Sequence, residues 1–221
     1  MLKIENLNLN GLKIYQDDSL YCFTSDSVLL SRFAVVKKND VVADFCSGSG
    51  IVGFHLYGLN ENAIKSVTLF EMQKSLLDLS VKSIELNGLQ DKFFAVNTKI
   101  QDIPNEYNEK FSLIVCNPPY MKVDGGELRE KSQIALCRSE IELSLTELIK
   151  GISKCLKFGG RTCIVHRAER LADVICEMRK YNVEPKRLQT VYSAGKEPYL
   201  FMIEGVKGGK SGLKILTATQ N

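Results

Sequence analysis

Residues 41–53 read VVADFCSGSGIVG, and this stretch decides the fold. The apolar run Val41–Phe45 predicts a buried β-strand, and the glycines after it predict a tight turn into a helix. Gly48, Gly50 and Gly53 fit the spacing G-x-G-x-x-G, which after a strand is typical of loops that bind a nucleotide. Plain strand-to-helix turns use the same glycines, so the spacing alone leaves both interpretations open.

On either side of this loop, strand-length apolar runs alternate with helical patterns. Further strands are predicted at Ser66–Phe70, Phe93–Val96, Phe111–Cys116, Arg161–Val165, Arg187–Val191 and Tyr199–Glu204. About seven residues separate the last two strands, too few for a crossover helix, so this pair is expected to be antiparallel. The pattern predicts an α/β fold with a mostly parallel seven-stranded sheet, one antiparallel strand and helices on both faces.

Capping and turn residues predict where other elements begin and end. Asn10-Gly11 between alternating apolar residues predicts an N-terminal hairpin, and Thr24–Asp26 predicts the start of a short helix. Ser144 and Glu147 form a capping-box pattern, and the helix that they open is predicted to end at Gly159-Gly160.

The composition, 44% hydrophobic and 25% charged in 221 residues, is that of a globular domain. We expect one domain over residues 1–221, with a hairpin-and-helix extension over 1–36 and a catalytic core over 37–221. The apolar runs are far shorter than the roughly 20 residues of a membrane span, and Glu5 falls where a signal peptide would be apolar. These features predict a cytoplasmic protein without membrane association, and no obligate protein partner is evident.

Seven cysteines and two histidines give no metal-site pattern. The cysteines never occur as C-x-x-C, and neither histidine lies at ligand spacing from a cysteine, so no metal is expected.

Charge is distributed unevenly along the chain. Residues 1–120 carry 11 basic and 14 acidic side chains, a net −3, whereas residues 121–221 carry 18 and 12, a net +6. The second half suits a polyanion, although a solvated basic surface explains the same bias equally well.

Two acids frame the glycine loop and indicate its ligand. Asp44 precedes the first glycine, where a carboxylate would repel a pyrophosphate and attract a cation, and Glu71 ends the next strand, where it could bind both ribose hydroxyls. A nucleoside with positive charge and no phosphate fits both acids, and S-adenosylmethionine (SAM) is such a ligand. The alternatives are a turn-forming Asp and a helix-capping Glu, with a nicotinamide dinucleotide as the less favoured ligand.

Asn117-Pro118-Pro119-Tyr120 follows the strand Phe111–Cys116, at the sheet edge where ligands bind in open α/β folds. An exocyclic amine or a carboxamide nitrogen is a poor nucleophile because it is conjugated. The Asn117 side-chain oxygen and the Pro118 carbonyl can accept hydrogen bonds from its two N–H groups, and Tyr120 can stack on a planar base. The tetrapeptide therefore indicates methyl transfer to nitrogen by positioning, against the alternative of a rigid surface turn.

With these motifs the chain resembles class I SAM-dependent methyltransferases. It is most similar to the bacterial tRNA(Val) adenine(37)-N6-methyltransferase family, which carries the Asn-Pro-Pro-Tyr motif on a Rossmann-like fold. The resemblance implies SAM as cofactor and tRNA as partner. It implies that the cofactor contacts Phe23, Asp26, Asp44, Gly48, Gly50, Glu71, Asp102 and Asn117, and that Asn117, Pro118, Pro119 and Tyr120 are catalytic.

The resemblance continues in the basic second half of the chain. The candidate RNA-binding residues are Arg138, His166, Arg167, Arg170, Lys186 and Arg187. Phe45-Cys46 departs from the usual Leu-Gly in the loop, and the last six residues lack the proline-rich ending of the family.

Two other functions remain open at this stage. Protein glutamine N5-methyltransferases use Asn-Pro-Pro-Tyr but carry a helical domain before the core, for which about forty residues before Asp44 leave little room. A non-catalytic RNA-binding module on a methyltransferase scaffold is the second, although the intact acids and glycines argue against it. The eighteen residues Met121–Arg138 lack periodicity and predict a mobile loop or a lid over RNA.

Overall fold

The computed structural model describes residues 1–20, 25–119 and 143–221. The strands are β1 Leu2–Asn6, β2 Lys13–Asp17, β3 Asp40–Phe45, β4 Ile64–Glu71, β5 Phe93–Asn97, β6 Phe111–Cys116, β7 Leu156–Arg167, β8 Val183–Tyr192, β9 Pro198–Lys207, β10 Lys214–Ile215 and β11 Thr219–Gln220. The α-helices are α1 Ser25–Phe33, α2 Ile51–Asn60, α3 Lys74–Leu86, α4 Leu145–Cys155 and α5 Leu171–Lys180. Short 3₁₀ helices cover Ile100–Asp102, Asn105–Tyr107 and Ala168–Arg170. None of the helices described is long and apolar enough to cross a membrane.

The central sheet has the order β8-β9-β7-β6-β3-β4-β5. Strand β9 runs antiparallel to both of its neighbours, and the other strands of this path run parallel to one another. The predicted mostly parallel sheet with one antiparallel strand is therefore confirmed. The sequence pattern missed β10 and β11, which pair in parallel with the outer edge of β8. Each has two residues, too few to produce a recognisable pattern.

Apolar side chains cover both faces of the sheet. On β3, Val42 belongs to one buried cluster and its neighbour Ala43 to the other, because successive residues of a strand point to opposite faces. Helices α1, α2 and α3 contribute to the first cluster, and α4 and α5 to the second. Burial on both faces explains why the central strands read as continuous apolar runs.

The end of α4 differs from the prediction. The helix ends at Cys155 and β7 begins at the next residue, so Gly159-Gly160 lies within the strand. There the register between β7 and β6 shifts, and Gly159 has φ +74°. A Cβ on Gly160 would lie 2.8 Å from the carbonyl oxygen of Lys157. The glycines therefore allow an irregular strand segment and do not terminate the helix.

The N-terminal hairpin of β1 and β2 packs on α3 and on the glycine loop. The Tyr15 N–H donates to Ser83 Oγ (2.9 Å), and Lys13 exchanges two hydrogen bonds with the Asn87 side chain. These side chains satisfy backbone groups on the outer edge of β2. Gln16 Nε2 donates to Ser49 Oγ in the loop, so the hairpin supports the loop directly.

A buried ion pair joins the strands at the amino edge of the sheet. Arg161 on β7 lies 2.6 Å from Asp40, the first residue of β3, and both side chains are only about one-twentieth exposed. The Asp40 carboxylate also accepts from Ser112 Oγ on β6 (2.8 Å) and from the Lys37 N–H (2.7 Å). Arg161 donates as well to the carbonyl of Val35, which follows α1. The pair therefore connects three strands and the segment after α1.

We predict that Asp40→Asn lowers the free energy of unfolding by about 3–5 kcal/mol, because it leaves the buried Arg161 charge without a counter-charge. Urea denaturation measures the change. The control is Asp78→Asn, which breaks the exposed Lys74–Asp78 pair and should change stability by less than about 0.5 kcal/mol. Equal effects of the two variants would contradict this account of the pair.

Candidate active site

The third glycine of the loop lets α2 approach the carboxyl group of Asp44. Asp44 is fully buried near the end of β3, and its Oδ2 accepts a hydrogen bond from the Gly53 N–H (2.8 Å). A Cβ on Gly53 would lie 2.8 Å from Leu69 Cδ2 and 3.3 Å from that same Oδ2. Any side chain at this position would therefore push the start of α2 away from Asp44.

The turn between β3 and α2 requires left-handed backbone. Gly48 has φ +56° and Gly50 has φ +86°, values that glycine adopts without steric cost. Cys46 adopts φ +58°, which is uncommon for a residue with a Cβ. The Gly50 N–H donates to the Ser47 carbonyl (2.8 Å) and closes the turn.

Glu71 holds the loop from the adjacent strand β4. Its Oε2 accepts from the Gly48 N–H and its Oε1 from the Gln73 N–H, both at 2.8 Å. The backbone N–H of Met72 also contributes a hydrogen bond to Glu71, and the predicted contacts of this carboxylate with ribose hydroxyls remain a prediction. Sequence reasoning did not foresee that Glu71 also fixes the loop backbone.

Burial makes this edge of the sheet unfavourable for uncompensated negative charge. The pKa of Asp44 is raised to about 8, first because the group is desolvated and further because Glu71 lies nearby, while the Gly53 hydrogen bond opposes the shift. Desolvation also raises the pKa of Glu71, against the hydrogen bonds from backbone N–H groups. Two such carboxyl groups beside a loop are suited to a ligand that brings positive charge.

Asn117 is the first residue after β6, and it lies beside the end of β3. The two strands are adjacent in register, with Cys116 opposite Phe45. Asn117 Nδ2 donates to Ser27 Oγ on α1 (3.0 Å), whereas its Oδ1 is buried and has no hydrogen-bond partner among the described residues. Pro118 is buried and Pro119 is half-buried. The structure thus leaves an acceptor, the Asn117 carbonyl oxygen, available to a ligand.

Buried polar atoms without a partner concentrate at this edge. In the described part of the chain, four side-chain atoms are of this kind, and Asp44 Oδ1, Ser47 Oγ and Asn117 Oδ1 are three of them. Such atoms are costly in a folded protein unless a ligand or water satisfies them. Sequence reasoning missed Ser47, and its position between Asp44 and Gly48 was the signal that could have identified it.

Of the remaining predicted cofactor residues, Asp26 is buried and Asp102 is exposed. Asp26 is buried in the first turn of α1, next to Ser27, which contacts Asn117. Asp102 ends a 3₁₀ helix that follows β5, and its side chain is exposed. Phe23, Tyr120 and Arg138 fall outside the described residues, as does the segment Met121–Arg138.

The predicted RNA residues at the end of β7 are not equally accessible. His166 is 2% exposed, and its Nδ1 accepts from the Arg167 N–H (2.9 Å). Desolvation lowers the pKa of His166 to about 4, so the ring is neutral at pH 7. Arg167 and Arg170 are partly exposed, and Arg170 forms an ion pair with Asp173 (2.7 Å). The two arginines carry positive charge at the carboxyl edge, whereas His166 does not.

Lys186 and Arg187 on β8 make contacts within the protein. Lys186 Nζ donates to the carbonyl of Lys210 (3.0 Å). Arg187 pairs with Glu204 (2.9 Å), donates to the Phe33 carbonyl (3.2 Å) and lies 4.7 Å over the Phe33 ring. Arg187 therefore anchors the end of α1, and its predicted contact with RNA remains a prediction.

Within the described ranges, no group of three His, Cys, Asp or Glu side chains is arranged to hold a metal ion.

The sheet order, the acid before a glycine loop and the Asn-Pro-Pro segment at the neighbouring strand end define a methyltransferase of the Rossmann-like class. The sequence profile of the methyltransferase small domain family matches residues 24–181. The chain belongs to this family. Its fold is similar to that of Methanocaldococcus jannaschii Trm5, solved in complex with adenosine, with a TM-score of 0.67 and 17% identity over 95% of this chain and 57% of that one.

Curated relatives give a narrower comparison. The chain is 29% identical over 150 residues to the tRNA1(Val) (adenine(37)-N6)-methyltransferase of Shewanella baltica (strain OS185), covering 67% of this chain and 61% of the relative. The protein of the same name from Flavobacteriaceae bacterium (strain 3519-10) is 25% identical over 197 residues, covering 83% and 81%. The chain thus spans about three-fifths of the length of the first of these relatives.

We predict that Asp44→Asn stabilises the ligand-free protein increasingly as pH rises. Wild-type Asp44 keeps its proton up to about pH 8 when folded but loses it near the ordinary pKa of 3.8 when unfolded. Its contribution to stability is therefore lost between about pH 4 and pH 8, and the Asn variant, which does not titrate, avoids that loss. Urea unfolding at pH 5, 6.5 and 8 should show a growing difference in favour of the variant. A difference independent of pH would contradict the raised pKa.

Proposed function

We propose that this protein transfers a methyl group from SAM to N6 of an adenine in tRNA, with adenine(37) of valine tRNA as the first candidate. The observation that carries the proposal is Asn117 Oδ1, a buried acceptor beside the loop of Asp44 for which the described ranges supply no partner. The names of the curated relatives support the choice of tRNA and of this nucleotide. A cytoplasmic location, where tRNA is available, belongs to the same proposal.

The residues of the loop fit SAM. Asp44 Oδ1 and Ser47 Oγ are buried and have no partner in the part of the chain that the structure describes, so they can form hydrogen bonds with the amino-acid arm of the cofactor. A Cβ on Gly48 would meet no atom of the described residues within 4 Å, so the glycine leaves open space beside the loop backbone, whereas a Cβ on Gly50 would lie 3.0 Å from the Phe54 ring. Asp44 would hold the positive end of the cofactor, and Glu71 would hold its ribose. When bound, SAM supplies an electrophilic methyl group.

Asn117 and Pro118 would prepare the adenine amine for attack. The N6 lone pair is delocalised into the ring, so the amine is planar and weakly nucleophilic. Asn117 Oδ1 and the Pro118 carbonyl would each accept one N6–H hydrogen bond, which favours a pyramidal nitrogen with its lone pair available. Rate enhancement would come mainly from positioning, and a strong base is not required because the proton leaves after the methyl group is attached.

Arg167 and Arg170 would bind the RNA backbone. They lie at the end of β7 and in the 3₁₀ helix that follows it, at the same edge of the sheet as Asn117. A phosphate held there would keep a flipped adenine close to the Asn-Pro-Pro segment. The partly exposed arginines suit this role better than the neutral, buried His166.

The function is tested with Asn117→Ala and an unmodified valine tRNA transcript. Mass spectrometry of the digested RNA should find N6-methyladenosine with the wild type and at least a hundredfold less with the variant, while calorimetry finds similar SAM affinity for both. Asn60→Ala is the matched control. Asn60 is also half-buried, but its side chain donates to the Leu56 carbonyl within α2 (3.0 Å). The control should retain wild-type turnover.

Two outcomes would contradict the assignment. If the wild type binds SAM but methylates no tRNA, the substrate is wrong, and a protein glutamine side chain becomes the next acceptor to assay. If Asn117→Ala loses SAM affinity as severely as turnover, Asn117 serves the cofactor and not the acceptor amine.

The RNA surface gives a separate prediction. Arg167→Ala combined with Arg170→Ala should weaken tRNA binding and reduce the slope of log Kd against log salt by about 1–2, because up to two phosphate contacts are lost. The control is Arg179→Ala with Lys180→Ala, which removes the same charge from the far end of α5. Filter binding from 50 to 200 mM salt measures both. Identical slopes for the two double variants would show that RNA binds elsewhere.

A further inference from the structure

Ser27 contacts Asn117 from outside the Asn-Pro-Pro motif. It lies in the first part of α1, is 2% exposed, and its Oγ accepts the hydrogen bond from Asn117 Nδ2 at 3.0 Å. The two residues are 90 positions apart in the sequence and belong to different layers of the fold. Neither the glycine loop nor the Asn-Pro-Pro segment indicated a role for Ser27.

The two ends of an asparagine amide differ chemically but have nearly the same shape. Oδ1 accepts hydrogen bonds and Nδ2 donates them, and the terminal torsion that exchanges them is broad. An amide turned by half a rotation would direct N–H groups toward the N–H groups of an acceptor amine, and the two would repel. Methyl transfer to an amine therefore requires that Asn117 be held with Oδ1 toward the substrate.

Helix α1 is tied to the rest of the molecule at three points along its length. Ser31 Oγ lies 2.7 Å from His55 Nδ1 on α2, and Arg187 binds the Phe33 carbonyl at its last residue. At its first residue, the Asn221 side chain donates to Ser25 Oγ (2.8 Å). The position of Ser27 relative to the sheet is thus fixed by contacts on both sides of it, as an orienting group requires.

We propose that Ser27 is a positioning residue whose hydrogen bond restrains the Asn117 side-chain amide, so that the amide keeps its place against the acceptor amine. By holding Nδ2, Ser27 leaves Oδ1 facing the substrate. The kinetic part of this inference rests on the proposed function, whereas the contact itself can be tested without a substrate.

The kinetic test compares Ser27→Ala with Ser31→Ala. Both remove a buried serine hydroxyl from α1, and Ser31, 1% exposed, contacts His55 instead of Asn117. Ser27→Ala should lower kcat for tRNA methylation about three- to tenfold, which corresponds to the free energy of one hydrogen bond. The KM for tRNA and the Kd for SAM should stay within twofold of wild type. Ser31→Ala should lower the melting temperature at least as much but leave kcat within twofold. A wild-type kcat in Ser27→Ala, or equal kcat losses in both variants, would overturn the proposal.

The second test observes the Asn117 side-chain amide by NMR in the protein without substrate. Its resonance is assigned as the one that is missing from the spectrum of Asn117→Asp. In the wild type its hydrogens should exchange slowly with solvent, and in Ser27→Ala at least fivefold faster, while in Ser31→Ala they should match wild type. Unchanged exchange in Ser27→Ala would overturn the proposal whatever the substrate is. A wild type that methylates no tRNA would instead refute the proposed function, and the exchange rates would still decide whether Ser27 holds the amide.

Discussion

Asp44 brings a fully buried carboxyl group to the carboxyl edge of the sheet, and much of the surrounding structure accommodates that burial. One oxygen is satisfied by the Gly53 N–H, which requires that α2 begin against β3 and that residue 53 lack a side chain. The other oxygen has no hydrogen-bond partner among residues 1–20, 25–119 and 143–221. A buried oxygen of this kind is costly to the folded chain unless a ligand or water satisfies it.

The neighbouring elements keep the loop in the required shape. Glu71 binds the Gly48 backbone from β4, and Gln16 reaches Ser49 from the N-terminal hairpin. The hairpin is therefore more than an appendage of the α/β core, because it contacts the loop that is proposed to bind the cofactor. On the other side, α1 supplies Ser27 to the Asn117 amide. Segments before the core thus contribute to both halves of the candidate site.

Local patterns were sufficient to predict the sheet and to place Asp44, Glu71 and Asn117 at one edge of it. The strands that carry Asp44, Glu71 and Asn117 are apolar runs that end in polar residues, and in a parallel sheet such ends meet at one edge. Contacts between distant segments were not predictable. The contact of Ser27 with Asn117 and the pairing of Arg187 with Glu204 depend on how helices and strands pack, which no short window of sequence records. For the same reason Gly159-Gly160 was interpreted as a helix end, although it serves an irregular strand.

The two ends of the central sheet are protected to different degrees. At one end, β10 and β11 form short pairs with β8 and occupy its outer hydrogen-bonding groups. At the other end, β5 is the last strand among the described residues, and Phe94 on it is 49% exposed. An unprotected edge strand with an exposed aromatic side chain is a template for strand addition. Among the described strand edges, β5 is therefore the one more open to strand addition, and a charged residue in place of Phe94 would disfavour such pairing at a position outside the candidate site.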